Sequence, residues 1–345
     1  MPQNLTPHVI TLGTAGGPRW WTGQNAGRRS GISTAVVVGS AVYLVDAGSG
    51  VGNQLMKAGF TPGDLRGIFL THLHSDHTID LASLAIFGLF TMKREKEPVQ
   101  IIGPGDRGEL PPVSPRAVVA PRPLFPSNPT PGTASMFSSL MQAYATDLND
   151  RVIDALRPSP LEYFHASDIQ IPGGDYHPNQ NPTPENFEPF VIYRDELVTV
   201  SATLVEHPPI APAFAFRFDT AEGSVTISGD TAPCENLVRL ARGTDLLLHE
   251  AIDFDWVQQA YGSLGTEEAQ ASMDHHRRSH TSALQAIELA ERAGAATLAL
   301  HHLVPGTTPD AVWHSHAEQF SGRFLIPNDL DVISFARTTS EMAVA

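Results

Sequence analysis

The sequence contains few of the residues that would mark several common classes of protein. It has a single cysteine, Cys234, which excludes an intramolecular disulfide and favours a reducing compartment, so we expect a cytoplasmic location. No apolar run approaches the roughly eighteen residues needed to cross a bilayer, and we expect no membrane association. Residues 1–8 carry no basic region followed by an apolar core, so a secretory signal peptide is not expected.

Positive charge is also scarce. The chain has 22 basic against 37 acidic residues, and its formal net charge is −15. Such a surface repels long polyanions, which argues against non-specific binding of nucleic acid. It says little about a small anionic substrate, because a bound divalent metal makes a pocket less negative than the surrounding surface.

The most informative feature that is present is the hexapeptide His-Leu-His-Ser-Asp-His at residues 72–77. Three imidazoles and a carboxylate within six residues are ligands that suit zinc, copper, iron or nickel. The apolar run at 67–71 predicts a buried strand, so these side chains would leave its carboxyl end, where open α/β sheets place their chemistry. The alternative is a polar surface loop, but nothing in a solvated loop requires this spacing.

Short strand-like apolar runs recur on both sides of a central segment. Helices are predicted at 51–58, before Gly59, and at 282–293, before Gly294. The repeated pattern predicts two packed sheets with helices outside them. The strand-like runs are 9–12, 34–38, 42–45, 68–71, 99–102, 197–204, 213–218, 225–228, 246–249 and 297–300.

The central segment, residues 105–190, breaks this rhythm. Eight prolines lie within 111–131 and seven more within 158–189. Between them, apolar residues spaced by four predict one helix, and they are Met136, Leu140, Tyr144, Leu148 and Val152. A segment of this length is expected to be a functional or interfacial insertion, such as a pocket lid or a dimer contact. Ordinary packing of its helix against the main body is the alternative.

Further metal-capable residues follow other predicted strands. His207 follows the run that begins at 197, and Asp230 follows the run 225–228 through a glycine. His301 and His302 follow the run 297–300. One such arrangement would be unremarkable, but four in one chain point to a shared metal site.

With these ligands in order, the chain resembles the metallo-β-lactamase-fold hydrolases. The sequence Asp46-Ala47-Gly48 is similar to a structural motif that precedes the family's hexapeptide. The resemblance covers about 8–104 and 191–335. It implies an α/β protein, a four-layered αββα sandwich in which residues 1–345 form one domain with a Pro-rich, partly helical insertion at 105–190.

The resemblance also implies a ligand set for two zinc ions per chain, with manganese or iron as alternatives. His302 is preferred over His301, because the family's ligand lies one position further along, just ahead of Leu303. One ion would be bound by His72, His74 and His207, the other by Asp76, His77 and His302, and Asp230 would bridge them.

Three further motifs resemble the RNase Z and arylsulfatase-like branch of the family. They are 228–231, 248–251 and Ser279-His280-Thr281-Ser282. The resemblance implies that His280 donates a proton or polarises a developing oxyanion, whereas the alternative is a helix-capping neighbourhood. Asp76 would orient the nucleophile or accept its proton, and Asp46 would brace the ligand loops. The shared Asp230 argues against a true β-lactamase.

These features predict a dinuclear zinc-dependent hydrolase. A hydroxide between the metals would cleave a small ester-type substrate, such as a phosphodiester, a sulfate ester or a lactone. The alternative is an RNase Z-type tRNA 3′-processing endonuclease. Residues 105–190 contain five arginines, ten acidic residues and no lysine, whereas an arm that binds tRNA should neutralise phosphates. We therefore expect a small-molecule substrate rather than tRNA, and a homodimer.

Two other readings stay open. The chain could be a non-catalytic, metal-binding member of the fold, although the complete set of ligands argues against that. A redox iron enzyme is a further alternative, because spacing alone does not determine the metal.

Overall fold

The computed structural model describes residues 6–93 and 97–337, and its strands form two seven-stranded sheets. Strands and helices are numbered along the chain. The first sheet consists of β1 (His8–Gly13), β2 (Ser33–Val38), β3 (Ala41–Val45), β4 (Leu65–Phe69), β5 (Val99–Gly103), β6 (Phe164–Asp168) and β14 (Asp331–Ser334). The second consists of β7 (Phe190–Arg194), β8 (Thr199–Leu204), β9 (Phe214–Asp219), β10 (Ser224–Ile227), β11 (Leu246–Ile252), β12 (Thr297–Val304) and β13 (Arg323–Leu325).

The two sheets share one plan. In the first, the order is β14-β1-β2-β3-β4-β5-β6, with antiparallel pairing from β14 to β3 and parallel pairing from β3 to β6. In the second, the order is β13-β12-β11-β10-β9-β8-β7, with parallel pairing from β13 to β10 and antiparallel pairing onward. The strand-like runs that recur on both sides of the central segment therefore correspond to two sheets of the same topology.

Alternating side chains explain the layers. Along β2 and β3, Val36 and Val45 point into the core between the sheets, whereas Val37 and Leu44 point to a second core under helices. Because both faces of these strands are covered, the strands are almost continuously apolar. The result is two sheets with helices outside, which confirms the predicted αββα fold class.

The helices lie largely where the fold covers its outer faces. Both predicted helices are present, and Gly59 (φ +88°) and Gly294 (φ +65°) follow them in the left-handed conformation that glycine tolerates. The helices are α1 (Val51–Lys57), α2 (Ser75–Thr78), α3 (Leu81–Gly88), α4 (Thr133–Ala143), α5 (Ala145–Ile153), α6 (Pro160–Tyr163), α7 (Glu235–Leu240), α8 (Phe254–Tyr261), α9 (Glu267–Ser279), α10 (Ala283–Ala293) and α11 (Asp310–Trp313).

Residues 105–190 differ from the prediction in two respects. The single predicted helix is two helices, α4 and α5, that meet at Tyr144, and the buried face of α4 carries Phe137 and Met141. The segment also contributes β6, which pairs in parallel with β5, so it is not wholly outside the sheets. The sequence did not reveal β6, because a five-residue edge strand beside prolines has little periodicity of its own. The domain assignment itself stays a prediction.

Within residues 6–93 and 97–337, we find no helix with the length and hydropathy of a membrane span.

Candidate metal centre and its pocket

The ends of four strands meet at one edge of the sandwich. β4 leads into the hexapeptide, whose last residues form the one-turn helix α2. On the second sheet, His207 follows β8, Asp230 follows β10, and His302 lies within β12. All seven predicted ligands are thus brought together, although they span residues 72 to 302.

Three imidazoles form the first group of candidate ligands. His74 Nδ1 lies 3.0 Å from His72 Nε2 and 3.2 Å from His207 Nε2. Nitrogens that share a tetrahedral zinc ion lie about 3.3 Å apart, because each Zn–N bond is about 2.0–2.1 Å long. The spacing of these three nitrogens therefore fits one cation.

The second group combines two imidazoles with two carboxylates. Asp76 Oδ2 lies 3.6 Å from His77 Nε2 and 3.4 Å from His302 Nε2. The fourth member is Asp230, and one ligand atom from each of the four residues lies within 4.8 Å of the others.

Asp230 faces both groups with different oxygens. Its Oδ1 lies 3.3 Å from His77 Nε2 and 3.2 Å from His302 Nε2. Its Oδ2 lies 4.0 Å from His72 Nε2 and 3.9 Å from His207 Nε2. This is the orientation that a carboxylate shared by two cations requires.

Two buried atoms provide a direct test of whether a cation fits. His77 Nε2 and Asp230 Oδ1 are buried, and neither forms a hydrogen bond of acceptable geometry. A buried polar atom without a partner costs about 1–3 kcal/mol, and a charged one costs more. A divalent cation between them would satisfy both atoms, so the donor set fits the metal that the fold implies. The identity and number of the ions stay predictions.

A bulge in β12 decides which of two adjacent histidines enters the site. Glu250 of β11 pairs with His301 and Ala251 pairs with Leu303, so His302 is skipped in the pairing and has φ +50°. The extra residue turns the His302 ring towards Asp76 and Asp230. Among the described residues, His301 belongs to no group with the spacing of metal ligands.

The His302 ring also explains a glycine. A Cβ added at Gly16 would lie 2.3–2.6 Å from three atoms of that ring. The backbone at residue 16 therefore lies too close to the His302 ring for any side chain to fit there.

Hydrogen bonds hold two of the ligand rings, those of His77 and His207, in defined orientations. His77 Nδ1 donates to Asp46 Oδ2 at 2.8 Å, and Asp46 Oδ1 accepts from the Thr71 backbone N–H at 2.8 Å. His207 Nδ1 donates to the Ser279 carbonyl, also at 2.8 Å. Both acceptors can only accept, so each Nδ1 carries a proton and each Nε2 is the nitrogen that would bind a metal. Asp46 thus occupies the bracing position that was predicted for it.

The carboxylates of Asp46 and Asp230 create an electrostatic field that favours positive charge between the ligands. Burial lowers the pKa of His72 and of His207 well below the usual value, which keeps both rings neutral and able to bind a metal. Burial also opposes ionisation of His77, but Asp230 and Asp46 outweigh it and raise the pKa of His77 well above its usual range. A metal cation would satisfy the same field.

A second buried pair, Glu250 and His280, lies beside the ligands. His280 Nδ1 donates to Glu250 Oε1 at 2.9 Å and lies 4.0 Å from Asp230 Oδ2. Burial lowers the pKa of His280, but Glu250 and Asp230 outweigh it and raise that pKa to about 9. The ring is therefore protonated at neutral pH and lines the cavity.

Sequence reasoning identified His280 but missed Glu250. A usable signal was present, because Glu250 is an acidic residue inside β11, whose other residues apart from His249 are apolar. Charged side chains are rarely buried in such a strand unless they are paired. The helix cap that was the alternative explanation for the sequence around His280 is also present. The Ser282 side chain caps α10 by accepting from the Gln285 N–H.

A cavity of about 480 Å³ opens onto the ligands and His280. One wall is the loop Gly17-Pro18-Arg19, and the other is formed by α8 and α9. None of the residues that line this cavity comes from the 105–190 segment. That segment contacts the wall from elsewhere, through an ion pair between Arg116 and Asp274 of α9. The predicted lid therefore gains no support.

The tryptophans at 20 and 21 differ in their surroundings. Trp21 packs edge-to-face on Trp256 at 5.5 Å, whereas Trp20 is 91% exposed. Trp21 therefore belongs to a small aromatic cluster, whereas Trp20 is open to solvent.

Comparison with known proteins places the chain in a family. A family model described as the metallo-beta-lactamase superfamily matches residues 26–86, which include the hexapeptide. The chain is 32% identical over 295 residues to a ribonuclease Z of Mycobacterium sp. (strain KMS), covering 84% of each protein. It is 30% identical over 309 residues to the ribonuclease Z of Mycobacterium bovis (strain BCG / Pasteur 1173P2), covering 88% of this chain and 91% of that one.

Solved structures show the same fold. Human tRNase Z, short form (ELAC1), superposes with a TM-score of 0.61 at 19% identity, covering 96% of this chain and all of that one. The metallo-beta-lactamase fold protein YhfI of Bacillus subtilis gives a TM-score of 0.58 at 17% identity, with 94% and 98% covered.

The expectation of a small-molecule substrate rather than tRNA is wrong, because the matching relatives are ribonucleases. The error lay in treating the net charge of 105–190 as a measure of the field at the site. No residue of that segment lines the cavity over the ligands, so its acidic side chains do not set the field there. The cavity borders Arg19 instead, and a bound metal would add further positive charge.

The predicted homodimer, the cytoplasmic location and the arylsulfatase-like part of the resemblance stay predictions. The fold, the converging ligands and the relatives agree on the rest: the chain is a metal-dependent hydrolase of the metallo-β-lactamase superfamily and belongs to the ribonuclease Z family.

Proposed function

We propose that this chain is an endonuclease that removes the 3′ trailer from precursor tRNA. One observation carries the proposal: a chain 32% identical to ribonuclease Z over 84% of its length brings all seven ligands and the Glu250–His280 pair to one cavity. The reaction is hydrolysis of a phosphodiester bond.

Two divalent ions, for which we propose zinc, would be held by the two groups of ligands described above, with Asp230 between them. When bound, the ions polarise the scissile phosphate and lower the pKa of a water near it.

In our proposal Asp76 orients the attacking water and accepts its proton. Its carboxylate lines the cavity, and Oδ2 accepts from the Gly17 backbone N–H at 2.9 Å, which fixes the orientation of the group. Burial favours the protonated form, but His77 and His302 outweigh it and hold the pKa of Asp76 well below its usual range. The group is therefore an acceptor at neutral pH, and in our proposal it orients the water and takes its proton.

In our proposal His280 acts on the leaving group. Glu250 accepts from Nδ1 and so leaves the Nε2–H for the substrate. In our proposal Nε2 donates its proton to the oxygen that leaves phosphorus. Glu250 is a positioning residue, because it orients the ring and stabilises the positive charge of the imidazolium.

The shape of the surface supports a polymeric substrate. A second cavity of about 500 Å³ shares Gly17, Pro18, Arg19, Ser75 and Asp76 with the first, so the two cavities lie side by side. Arg19 supplies positive charge beside both cavities, and exposed Trp20 offers a surface on which a base can stack. Local charge of this kind can attract a phosphate backbone although the whole chain is acidic.

The test uses the full chain with a precursor tRNA that carries a 3′ trailer. We expect a shortened tRNA and a released trailer, loss of cleavage with a chelator, and recovery on addition of zinc. Mature tRNA and an unrelated hairpin with the same trailer are the controls. Turnover of bis(p-nitrophenyl) phosphate without cleavage of the precursor would overturn the tRNA substrate while leaving the hydrolase intact.

A further inference from the structure

We propose that His275, His276 and His280 form a third metal site, which takes a divalent cation of the zinc class and, when filled, suppresses hydrolysis. The binding part stands on geometry and does not depend on the substrate. The suppression part rests on the role of His280 in the proposed function.

The end of α9 brings the three rings to one wall of the cavity. His276 and His280 are four residues apart, which places them on the same side of the helix end, and His275 is adjacent. The ring centres are separated by 5.5 Å, 5.8 Å and 5.9 Å, so they form a nearly equilateral triangle. One nitrogen from each ring lies within 4.8 Å of the others.

This triangle matches what a metal requires. Three imidazoles on one tetrahedral zinc ion have ring centres about 5 Å apart, given Zn–N bonds of about 2.0–2.1 Å. In the first ligand group, His72, His74 and His207 have ring centres 4.7 Å, 4.7 Å and 5.1 Å apart. The α9 triangle is only slightly wider, and small rotations of rings at the cavity wall would close it.

The hydrogen bonds of the three rings leave nitrogens that a metal could bind. His280 Nδ1 is held by Glu250, the same carboxylate–histidine arrangement that Asp46 makes with His77. Ligating histidines commonly have such a partner. His276 Nδ1 is buried and has no hydrogen-bond partner. His275 Nδ1 lies 3.4 Å from Ser279 Oγ, which leaves its Nε2 for another partner.

The ligand type determines which cation the site takes. Three imidazoles and no carboxylate favour zinc, cobalt, nickel or copper over magnesium or calcium, which prefer oxygen. All three residues line the cavity, so an ion can enter from solvent and keep a water in its fourth position.

The site is expected to be weaker than the ligand groups beside it. The His280 ring centre lies 5.0 Å from that of His207, and the His275 ring centre lies 6.5 Å from that of His74. A third dication would therefore be repelled by its neighbours, and no carboxylate belongs to its own set. It should fill only when metal is in excess.

Occupation removes His280 from the reaction. The cation replaces the proton on Nε2, and that proton goes to the solvent. The ring then has no proton to donate to the leaving oxygen, and the ion obstructs the cavity. Excess zinc should therefore inhibit.

The binding test titrates the purified holoprotein with Zn²⁺ alone and, separately, with Co²⁺. Bound metal is measured by equilibrium dialysis with elemental analysis, and the cobalt absorption bands report the ligands. We expect one more equivalent in the wild type than in His275→Ala or His276→Ala. His165→Ala, an exposed histidine on β6, is the matched control and should behave as the wild type. Equal stoichiometry in all four proteins would overturn the site.

The activity test follows hydrolysis of bis(p-nitrophenyl) phosphate and precursor tRNA as zinc increases, each protein normalised to its own maximum. The zinc concentration for half-inhibition should rise at least ~10-fold in His276→Ala and His276→Gln, because one ligand is lost. A third bound ion without inhibition would overturn the suppression. A third ion in a chain that cleaves no precursor tRNA would support the site while overturning the proposed function. Retention of the tighter equivalents in each variant shows that it is folded.

Discussion

The two sheets build the metal centre in different ways. The first sheet supplies four of the seven candidate ligands from one six-residue segment at the end of β4. The second supplies three from separate strands: His207 follows β8, Asp230 follows β10, and His302 lies within β12. The first set depends mainly on local chain geometry, whereas the second exists only once three strands are aligned.

The two sets are also braced differently. A side chain, Asp46, orients His77, whereas a backbone carbonyl, that of Ser279, orients His207. A substitution can remove the first acceptor but not the second. The first sheet should therefore be more sensitive to mutation of its supporting residues, and the second to changes in the path of its strands.

The largest effect is expected where the two sets join. Asp230→Ala removes the only carboxylate that faces both groups among the described ligands. We expect kcat/KM to fall at least ~1,000-fold, because several kcal/mol of charge stabilisation depend on the metals. Metal content, measured by elemental analysis, should fall below that of the wild type. Asp154→Ala, an exposed change at the end of α5, is the control. Full metal content with activity within tenfold of the wild type would contradict the shared role.

A smaller loss of activity, without loss of metal, is expected for substitutions of His280 and Glu250. His280→Ala should lower kcat/KM by about 10²–10⁴, the usual contribution of a positioned acid, and leave the tightly bound metal in place. Glu250→Gln should cost less, because the amide oxygen can still accept from Nδ1 but does not stabilise the imidazolium. Steady-state kinetics and metal analysis on the same preparations check both. A His280→Ala protein as active as the wild type would remove this residue from the mechanism.

The close contact between Gly16 and the His302 ring can be tested by substitution of the glycine. Gly16→Ala would place a methyl group against the His302 ring, and overpacking of about 3 kcal/mol corresponds to roughly 100-fold weaker binding of one ion. Gly52→Ala is the matched control, because a Cβ there meets nothing within 4 Å and lies in α1, where alanine stabilises a helix. Competition with a chromophoric chelator measures the affinity. If both variants bind metal equally, the close approach at residue 16 is unimportant.

The smallest effect, a change in metal affinity, should distinguish the side-chain acceptor of His77 from the backbone acceptor of His207. Asp46→Asn keeps an acceptor for His77 but removes the charge, so metal affinity should fall about 10-fold. Ser279→Ala should leave the affinity unchanged, since the carbonyl that accepts from His207 stays. The same chelator competition checks both variants. An equal loss in the two would mean that the sheets are not braced in different ways.

Much of this protein could be predicted because the relevant signals are local. Alternating and continuous apolar runs predicted most strands of both sheets, and glycines marked the ends of α1 and α10. The break at Tyr144 and the edge strand β6 were not predictable, because each depends on what the chain packs against. His275 and His276 of α9 were overlooked for the same reason, whereas Glu250 had a local signal in its position inside a mostly apolar strand.

The sequence by itself determined the chemistry that the chain can carry, since imidazoles and carboxylates following buried strands have few uses other than binding a metal. Only the tertiary structure decided how these groups are shared. The bulge in β12 selects His302 over His301, and the alignment of β10 gives Asp230 one oxygen for each group. It also places Glu250 behind His280 and the end of α9 along the cavity. These relations join residues up to 230 positions apart, between His72 and His302. They depend on the path of the backbone, which no local pattern of residues specifies.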